Sequence, residues 1–419
     1  MKESGFFRYE NRLIAILAVN FGFVFVDRNA FGYLAPFIAQ GRENGGIGLN
    51  NTEIGAIVSA LSFTWALSGI LFGGLAESLG KRKAFLIASV VVFSLCSVLS
   101  GLAGSFLMLM AARLIMGMSE GGIGPISQSL VVLESSHERR GANMGIMQNS
   151  LSSLFGSFAA PIVLVAIANW LGWREAFFLA AVPGLIMALV IWRFIREPTA
   201  QEIAQAHQTT EAPPAERMSR IEMFKFRNMW LCVLISCVLV CWMVLGWTFL
   251  PVFFTSRGIS STNMSYLVSV LGLAAAFWCF IVPGLSDKIG RKPVMIFFCA
   301  LGVITPLGAL YYDGSLWIIG LLLFIGWSAS GVFPMFMGTI PSETVPVAYV
   351  ATAFGLTQGI GEMIGSVIGA TAAGRAADIY GQAAPLWIMV GCSAIAAVFA
   401  LFLRETAPIK VGTAAAKPA

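Results

Sequence analysis

Apolar runs of about 20 residues, the length that crosses a bilayer as a helix, recur along the whole chain with short polar breaks between them. They fall at roughly 13–39, 53–75, 84–104, 106–133, 142–169 and 174–195, and then at roughly 229–255, 263–285, 293–312, 315–340, 348–374 and 383–403. Hydrocarbon offers the backbone no hydrogen-bond partners, so a spanning segment is either a helix or part of a closed barrel. A barrel requires strands of about ten residues with alternating hydrophobicity, and the chain shows no such alternation. The pattern therefore predicts an all-α membrane protein with twelve transmembrane helices. The balance of 58% hydrophobic and 11% charged residues over 419 positions also leaves too little polar surface for a soluble globule.

The basic residues sort by loop. Apart from Arg28 and Arg113 inside spans, every Lys and Arg falls on the side that carries the N-terminus, except Arg42, Arg174, Arg257 and Arg375. Under the positive-inside rule this predicts both termini in the cytoplasm, with the first span retained as a helix and not cleaved as a signal. The net charge of +5 is then topological. A nucleic-acid partner would need a contiguous basic face, which dispersed loops do not supply. All seven cysteines lie within spans, and His137 and His207 lie in loops without ligand spacing, so no metal or cofactor is expected. The absence of a P-loop excludes ATP-driven pumping and leaves an ion gradient as the energy source.

The two halves repeat. Gly74–Lys83 reads GLAESLGKRK and Gly284–Lys292 reads GLSDKIGRK, with Gly80 and Gly290 placed 210 positions apart. Two six-helix bundles of like orientation, related by a pseudo-two-fold axis, are what a duplicated transporter looks like. The expected division is an N-terminal bundle at 1–196, a polar cytoplasmic linker at 197–227, and a C-terminal bundle with a short tail at 228–419.

Ionisable residues inside these spans mark a site, because each costs about 3 kcal/mol or more at the bilayer centre unless partnered or hydrated. Asp27 and Arg28 are adjacent in the first span; Arg113 and Glu120, seven residues apart in the fourth, emerge on nearly the same helix face about 10 Å apart. Arginine stays charged at any working pH and offers a fork that matches a carboxylate. A buried carboxyl near a movable base can exchange its proton as the geometry changes. A permanent ion-pair cluster that only fixes packing is the competing reading. Gln148 and Asn149 in the fifth span either orient ligand hydroxyls or hydrogen-bond between helices. Gln358 and Glu362 share a face of the eleventh, where Glu362 is a second proton site, a cation ligand, a substrate selector or simply a buried acid; Gly361, Gly365 and Gly369 beside it form a packing seam. Trp247 and Tyr33 are candidate cavity walls.

The repeated loops resemble the signature of the major facilitator superfamily over the full twelve-span layout. The resemblance implies that Glu77, Lys81 and Arg82, with Asp287 and Arg291 as the weakened second copy, latch helix ends on the cytoplasmic side. The Asp27–Arg28 pair, the Arg113–Glu120 spacing and the phrase GWREAFF at Gly172–Phe178 are similar to the anion:cation symporter family within it. That resemblance implies that Asp27 and Glu120 carry protons, that Arg113 binds the substrate carboxylate, and that Arg28 holds Glu120 or the substrate in alternate states. Family carriers of dicarboxylates have a further arginine on the seventh span, where this chain has Leu245, so a monocarboxylate is favoured.

The expected function is thus not enzymatic. It is proton-coupled symport of a small organic anion, a sugar acid or an aromatic acid, by alternating access. The protein is expected to act as a monomer in a bacterial inner (plasma) membrane. A spinster-like carrier of lipid or lysolipid is the alternative, since charges on the first and fourth spans occur there too.

Overall fold

The computed structural model describes residues 9–135, 139–147, 152–199, 222–345, 349–407 and 409–410. Gln148, Asn149, His137, His207 and the 200–221 part of the linker lie outside the described residues, and the Glu77 side chain is not described. Among the described residues, twelve helical passes follow in order: α1 Tyr9–Ile38, α2 Asn51–Ser78, α3 Arg82–Gly101, α4 Phe106–Glu134, α5 Ser152–Trp170 and α6 Trp173–Phe194. The second set is α7 Arg227–Ser256, α8 Ser261–Ile289, α9 Arg291–Tyr311, α10 Leu316–Thr344, α11 350–380 and α12 Ala384–Leu401. Ten are long and apolar enough, counted over the described residues, to span a bilayer on their own. α2 and α11 are rich in Gly, Ser and Thr, which suits helices that pack closely on neighbours.

The chain divides into two compact units. One takes the residues to Leu49 and those from Ala60 to the linker; the other takes Asn50–Ser59 and the chain beyond the linker. In the first unit α3 packs against α4 and α6, and α1 against α5 and α6. Its core is built from buried stripes at helical spacing, such as Leu13, Leu17 and Val24 on α1 and Leu86, Val90 and Phe93 on α3. In the second unit α7 is central: it packs along α12 and α11 and is buried over most of its length.

The repeated glycines have a backbone reason. Gly80 and Gly290 hold φ of 61° and 117°, a region closed to most side chains, at the two tight turns that lead into α3 and α9. Each unit also ends its last helix with an acid that caps an earlier one. Glu197 accepts from the Lys83 amide at 2.9 Å, and Glu405 accepts from the Arg291 and Lys292 amides at 2.7 and 3.2 Å, so both satisfy orphan N–H groups at a helix start. Arginines at the opposite helix ends do the converse. Arg174 donates to the carbonyls of Gly101 and Ala103 beyond α3, and Arg257 to those of Ala309 and Leu310 at the end of α9. Within the GWREAFF phrase, Trp173 also donates to the Gly45 carbonyl at 2.9 Å, so Trp173 and Arg174 brace neighbouring loops and helix ends.

In the second unit the first turn of α2 is capped by α11. Asp378 accepts from the Asn51 and Thr52 amides at 3.0 and 2.8 Å, from Asn51 Nδ2 at 2.9 Å and from the Thr52 hydroxyl at 2.5 Å. Small residues allow this approach: a Cβ on Gly55 would lie 2.2 Å from the Ala370 carbonyl oxygen. The expected Gly361–Gly365–Gly369 seam is present and faces α7 at Ser236, Cys237 and Cys241.

A Cβ on Gly365 would sit 2.4 Å from the Cys237 carbonyl oxygen and 2.8 Å from the Cys241 nitrogen, both backbone atoms that cannot swing aside. Gly365→Ala is therefore expected to lower thermal stability in detergent by about 1–3 kcal/mol through overpacking. Gly359, with nothing within 4 Å of its Cβ position, should accept alanine without loss. Equal melting temperatures for the two variants would mean that the seam does not constrain the fold.

Candidate functional site

Four ionisable side chains predicted from the sequence come together inside the first unit. Asp27 continues the buried α1 stripe of Leu13, Leu17, Asn20 and Val24, and Arg113 and Glu120 lie on the buried face of α4 with Leu109 and Met116. Asp27, Arg113 and Glu120 are each only 1% exposed. Gly117 and Gly121 bring α4 hard against α2: Cβ atoms there would meet the carbonyl oxygens of Leu61 and Trp65, each at 2.2 Å. That contact sets Trp65 beside the site, and the half-buried Arg28 guanidinium lies 4.5 Å from its ring centroid.

The charges gather without closing into tight pairs. Arg113 Nη1 donates to the backbone carbonyl of Asp27 at 3.0 Å and contacts Met116 Sδ at 3.3 Å, and the guanidinium lies between the rings of Phe31 and Phe177, 5.5 and 5.3 Å from their centroids. Two aromatic faces and one carbonyl stabilise the cation without consuming its fork. Nε and Nη2 of Arg113 have no hydrogen-bond acceptor, and neither carboxylate oxygen of Glu120 has a donor. Glu120 stands within electrostatic reach of Arg28, Asp27 and Arg113. Asp27 is held by one hydrogen bond, from the Ser97 hydroxyl of α3 to Oδ1 at 2.5 Å, while its Oδ2 has none. Unsatisfied donors and acceptors of this kind cost about 1–3 kcal/mol each when buried. Such a cluster holds hydrogen-bonding capacity ready for a proton or an anion.

Two further buried groups extend the polar path, and sequence reasoning missed both. Asn20, on the α1 stripe seven residues before Asp27, and Ser127, seven residues after Glu120, are 0% and 1% exposed, and their side-chain polar atoms have no partner. Their spacing from the charged pair was the available signal. Tyr33 is fully buried and donates to the Gly156 carbonyl at 2.9 Å, within the widened π-helical stretch Ser152–Ala159 of α5. It thereby satisfies a backbone oxygen where regular bonding is interrupted.

In the second unit the predicted residues lie on α7 and α11. Glu362 is 7% exposed and opens a second π-helical stretch, Glu362–Ile368, and Gln358 is half-buried one turn earlier. Trp247 packs edge-on against Trp327 at 5.2 Å, and Trp327 in turn lies 4.4 Å from Trp242. Of the expected latch, Arg82 is buried and donates through Nε to Ser129 at 2.8 Å, whereas Lys81 is exposed. Arg291 joins Asp287 at 2.5 Å, Glu343 at 2.8 Å and Ser286 at 2.6 Å. Glu343 and its counterpart Glu134, bound to Arg196 at 2.8 Å, were not singled out from the sequence, because an acid at a span end reads as ordinary loop polarity.

The sequence pattern of the Major Facilitator Superfamily matches residues 17–369. The chain is 28% identical to the "Probable 4-methylmuconolactone transporter" of Cupriavidus pinatubonensis, over 82% of this chain and 79% of that one. It is 25% identical to the gallate transporter of Pseudomonas putida over 94% and 91% of the two chains. Among solved structures it resembles a bacterial homologue of the human lysosomal transporter Spinster in an inward-facing, occupied conformation, with a TM-score of 0.74 at 18% identity over 95% and 97% of the chains. That likeness concerns the fold alone.

If Glu120 is kept for transport and not for packing, Glu120→Gln should leave the melting temperature unchanged or raise it, since a neutral amide is cheaper to bury than an unpaired carboxylate. A loss of stability above about 2 kcal/mol would reveal a structural ion pair.

Proposed function

The chain belongs to the Major Facilitator Superfamily, and we propose that it is a symporter that moves a small organic monoanion together with protons by alternating access. It is a transporter and not an enzyme, as its family and relatives show. The observation that carries the proposal is Arg113: a buried guanidinium with two unspent donor nitrogens, beside two carboxylates whose oxygens are largely unsatisfied.

Charge balance supplies the coupling. With both acids ionised, Asp27, Glu120, Arg28 and Arg113 sum to zero, a state that low-dielectric surroundings tolerate. An entering carboxylate that docks on Arg113 adds one negative charge, and the cost of leaving it unmatched is several kcal/mol. A proton on Asp27 or Glu120 removes that cost, so anion and proton bind best together and leave together. Arg28, which attracts Glu120 electrostatically without bonding to it here, is assigned to hold Glu120 or the substrate in alternate states. Gln148, Asn149, Gln358, Glu362, Tyr33 and Trp247 are assigned to substrate selection and cavity shape. Glu77, Lys81, Arg82, Asp287 and Arg291 are assigned to the conformational latch.

The absence of a base at Leu245 favours a monoanion, and relatives named for gallate and 4-methylmuconolactone favour an aromatic or ring-bearing acid. The bundle boundaries 1–196 and 228–419, a monomeric state, and residence in a bacterial inner membrane with both termini cytoplasmic complete the proposal.

Reconstituted protein should acidify the vesicle lumen when an accepted acid is added outside, read with an entrapped pH dye across a panel of aromatic and sugar acids. No proton movement with any acid that is itself taken up would remove symport, and competition by lysolipid but by no small acid would support the lipid-carrier alternative. Arg113→Ala should weaken substrate binding by about 30-fold or more, the cost of losing a buried charge-assisted contact. Glu120→Gln should keep substrate exchange yet lose accumulation driven by a proton gradient.

A further inference from the structure

The serines of α3 differ in what they do with their protons. Ser94 and Ser100 donate to the carbonyls four residues back in their own helix, Val90 and Cys96, each at 2.8 Å. Ser97 sits between them, fully buried, and donates across to the Asp27 carboxylate at 2.5 Å. A serine in a helix has the i−4 carbonyl within reach as an alternative acceptor, which for Ser97 is Phe93.

Ser97 is the one hydrogen-bond donor to that carboxylate among the described residues. Arg113 spends its contact on the Asp27 backbone carbonyl, and Asp27 Oδ2 is unpartnered. The other charged or titratable groups facing Asp27 act at longer range: Arg113 and Glu120 from α4 and Cys96 from α3. Arg28 adjoins it on α1, the described α5 residues carry no ionisable side chain, and α6 presents Phe177 to the cluster.

We propose that Ser97 is a positioning residue that sets the proton affinity of Asp27. Its hydroxyl favours the ionised carboxylate, so a proton binds at Oδ2 in competition with the negative charge that Ser97 stabilises. When the proton arrives, the reward for donating to Oδ1 falls and the hydroxyl can turn back to the Phe93 carbonyl. No covalent bond other than the transferred O–H changes. This rests on the proton-symport reading for its role in transport, but the effect on Asp27 is separable from it.

The test is an infrared titration of the full-length protein in detergent, following the carboxylic C=O band that disappears in Asp27→Asn. Removing the donor in Ser97→Ala should move the midpoint of that band upward by about one pH unit or more, from the usual strength of a hydrogen bond to a charged group. Ser97→Cys, a weaker donor of similar size, should fall between Ala and wild type. In the Asp27→Asn background, Ser97→Ala should cause no further change in the spectrum of that region. Coincident midpoints for wild type, Ala and Cys variants overturn the proposal, as does a downward shift. If Ser97→Ala does not fold, judged by gel filtration, the Cys variant alone decides on the same criterion. Proton-independent gallate uptake by the wild-type protein would sink the symport reading while leaving the titration intact, so the two failures are distinguishable.

Discussion

A carboxylate carried into hydrocarbon must be matched, hydrated or neutralised, and most of the organisation of the first unit follows from that demand. Asp27, Arg113 and Glu120 are almost wholly buried, yet they are held by a serine, a backbone carbonyl and two aromatic rings, with no short bidentate pair among them. A cluster bound tightly to itself would be cheap to bury and useless for exchange. One balanced in charge but unsatisfied in hydrogen bonds can accept an anion and a proton without first breaking strong contacts. The close approach of α2 to α4 at Gly117 and Gly121 serves this balance by placing Trp65 against Arg28.

The second unit is built differently. Where the first concentrates charge, the second presents Glu362 and a nest of tryptophans, with Trp242 and Trp327 fully buried and Trp247 leaning on them. The two units share a repeated glycine-marked turn but differ in the side chains they bury. Rigid aromatic surface discriminates shape at low entropic cost, while in the proposed mechanism it is the charged half that links transport to the gradient.

Much of this was legible in the sequence because hydrocarbon makes polar residues conspicuous. Twelve passes, two copies of a glycine-marked turn, and all four clustered charges stand out against an apolar background, and the positive φ of Gly80 and Gly290 explains why those positions repeat. Ser97 was not legible, since serine is tolerated anywhere in a span by bonding back to its own helix. Asp378 was also missed: its role as a cap depends on α11 meeting the start of α2, a contact between residues more than 300 positions apart. The GWREAFF phrase served as a family mark, but at Trp173 and Arg174 its physical content is bracing. The latch bases were identifiable as a cluster, whereas their partners Ser129 and Glu343 were set by helix packing that no local pattern encodes.

Among the described residues, α5 and α11 each contain a π-helical stretch, Ser152–Ala159 and Glu362–Ile368. A stretch of this kind accommodates one residue more than a regular turn, and it rotates everything beyond it about the helix axis. In α5 the stretch includes the Gly156 carbonyl that Tyr33 binds, and in α11 it opens on the buried Glu362. Any design that transplants either helix must keep the additional residue, or every side chain on the far side of it will face the wrong neighbour.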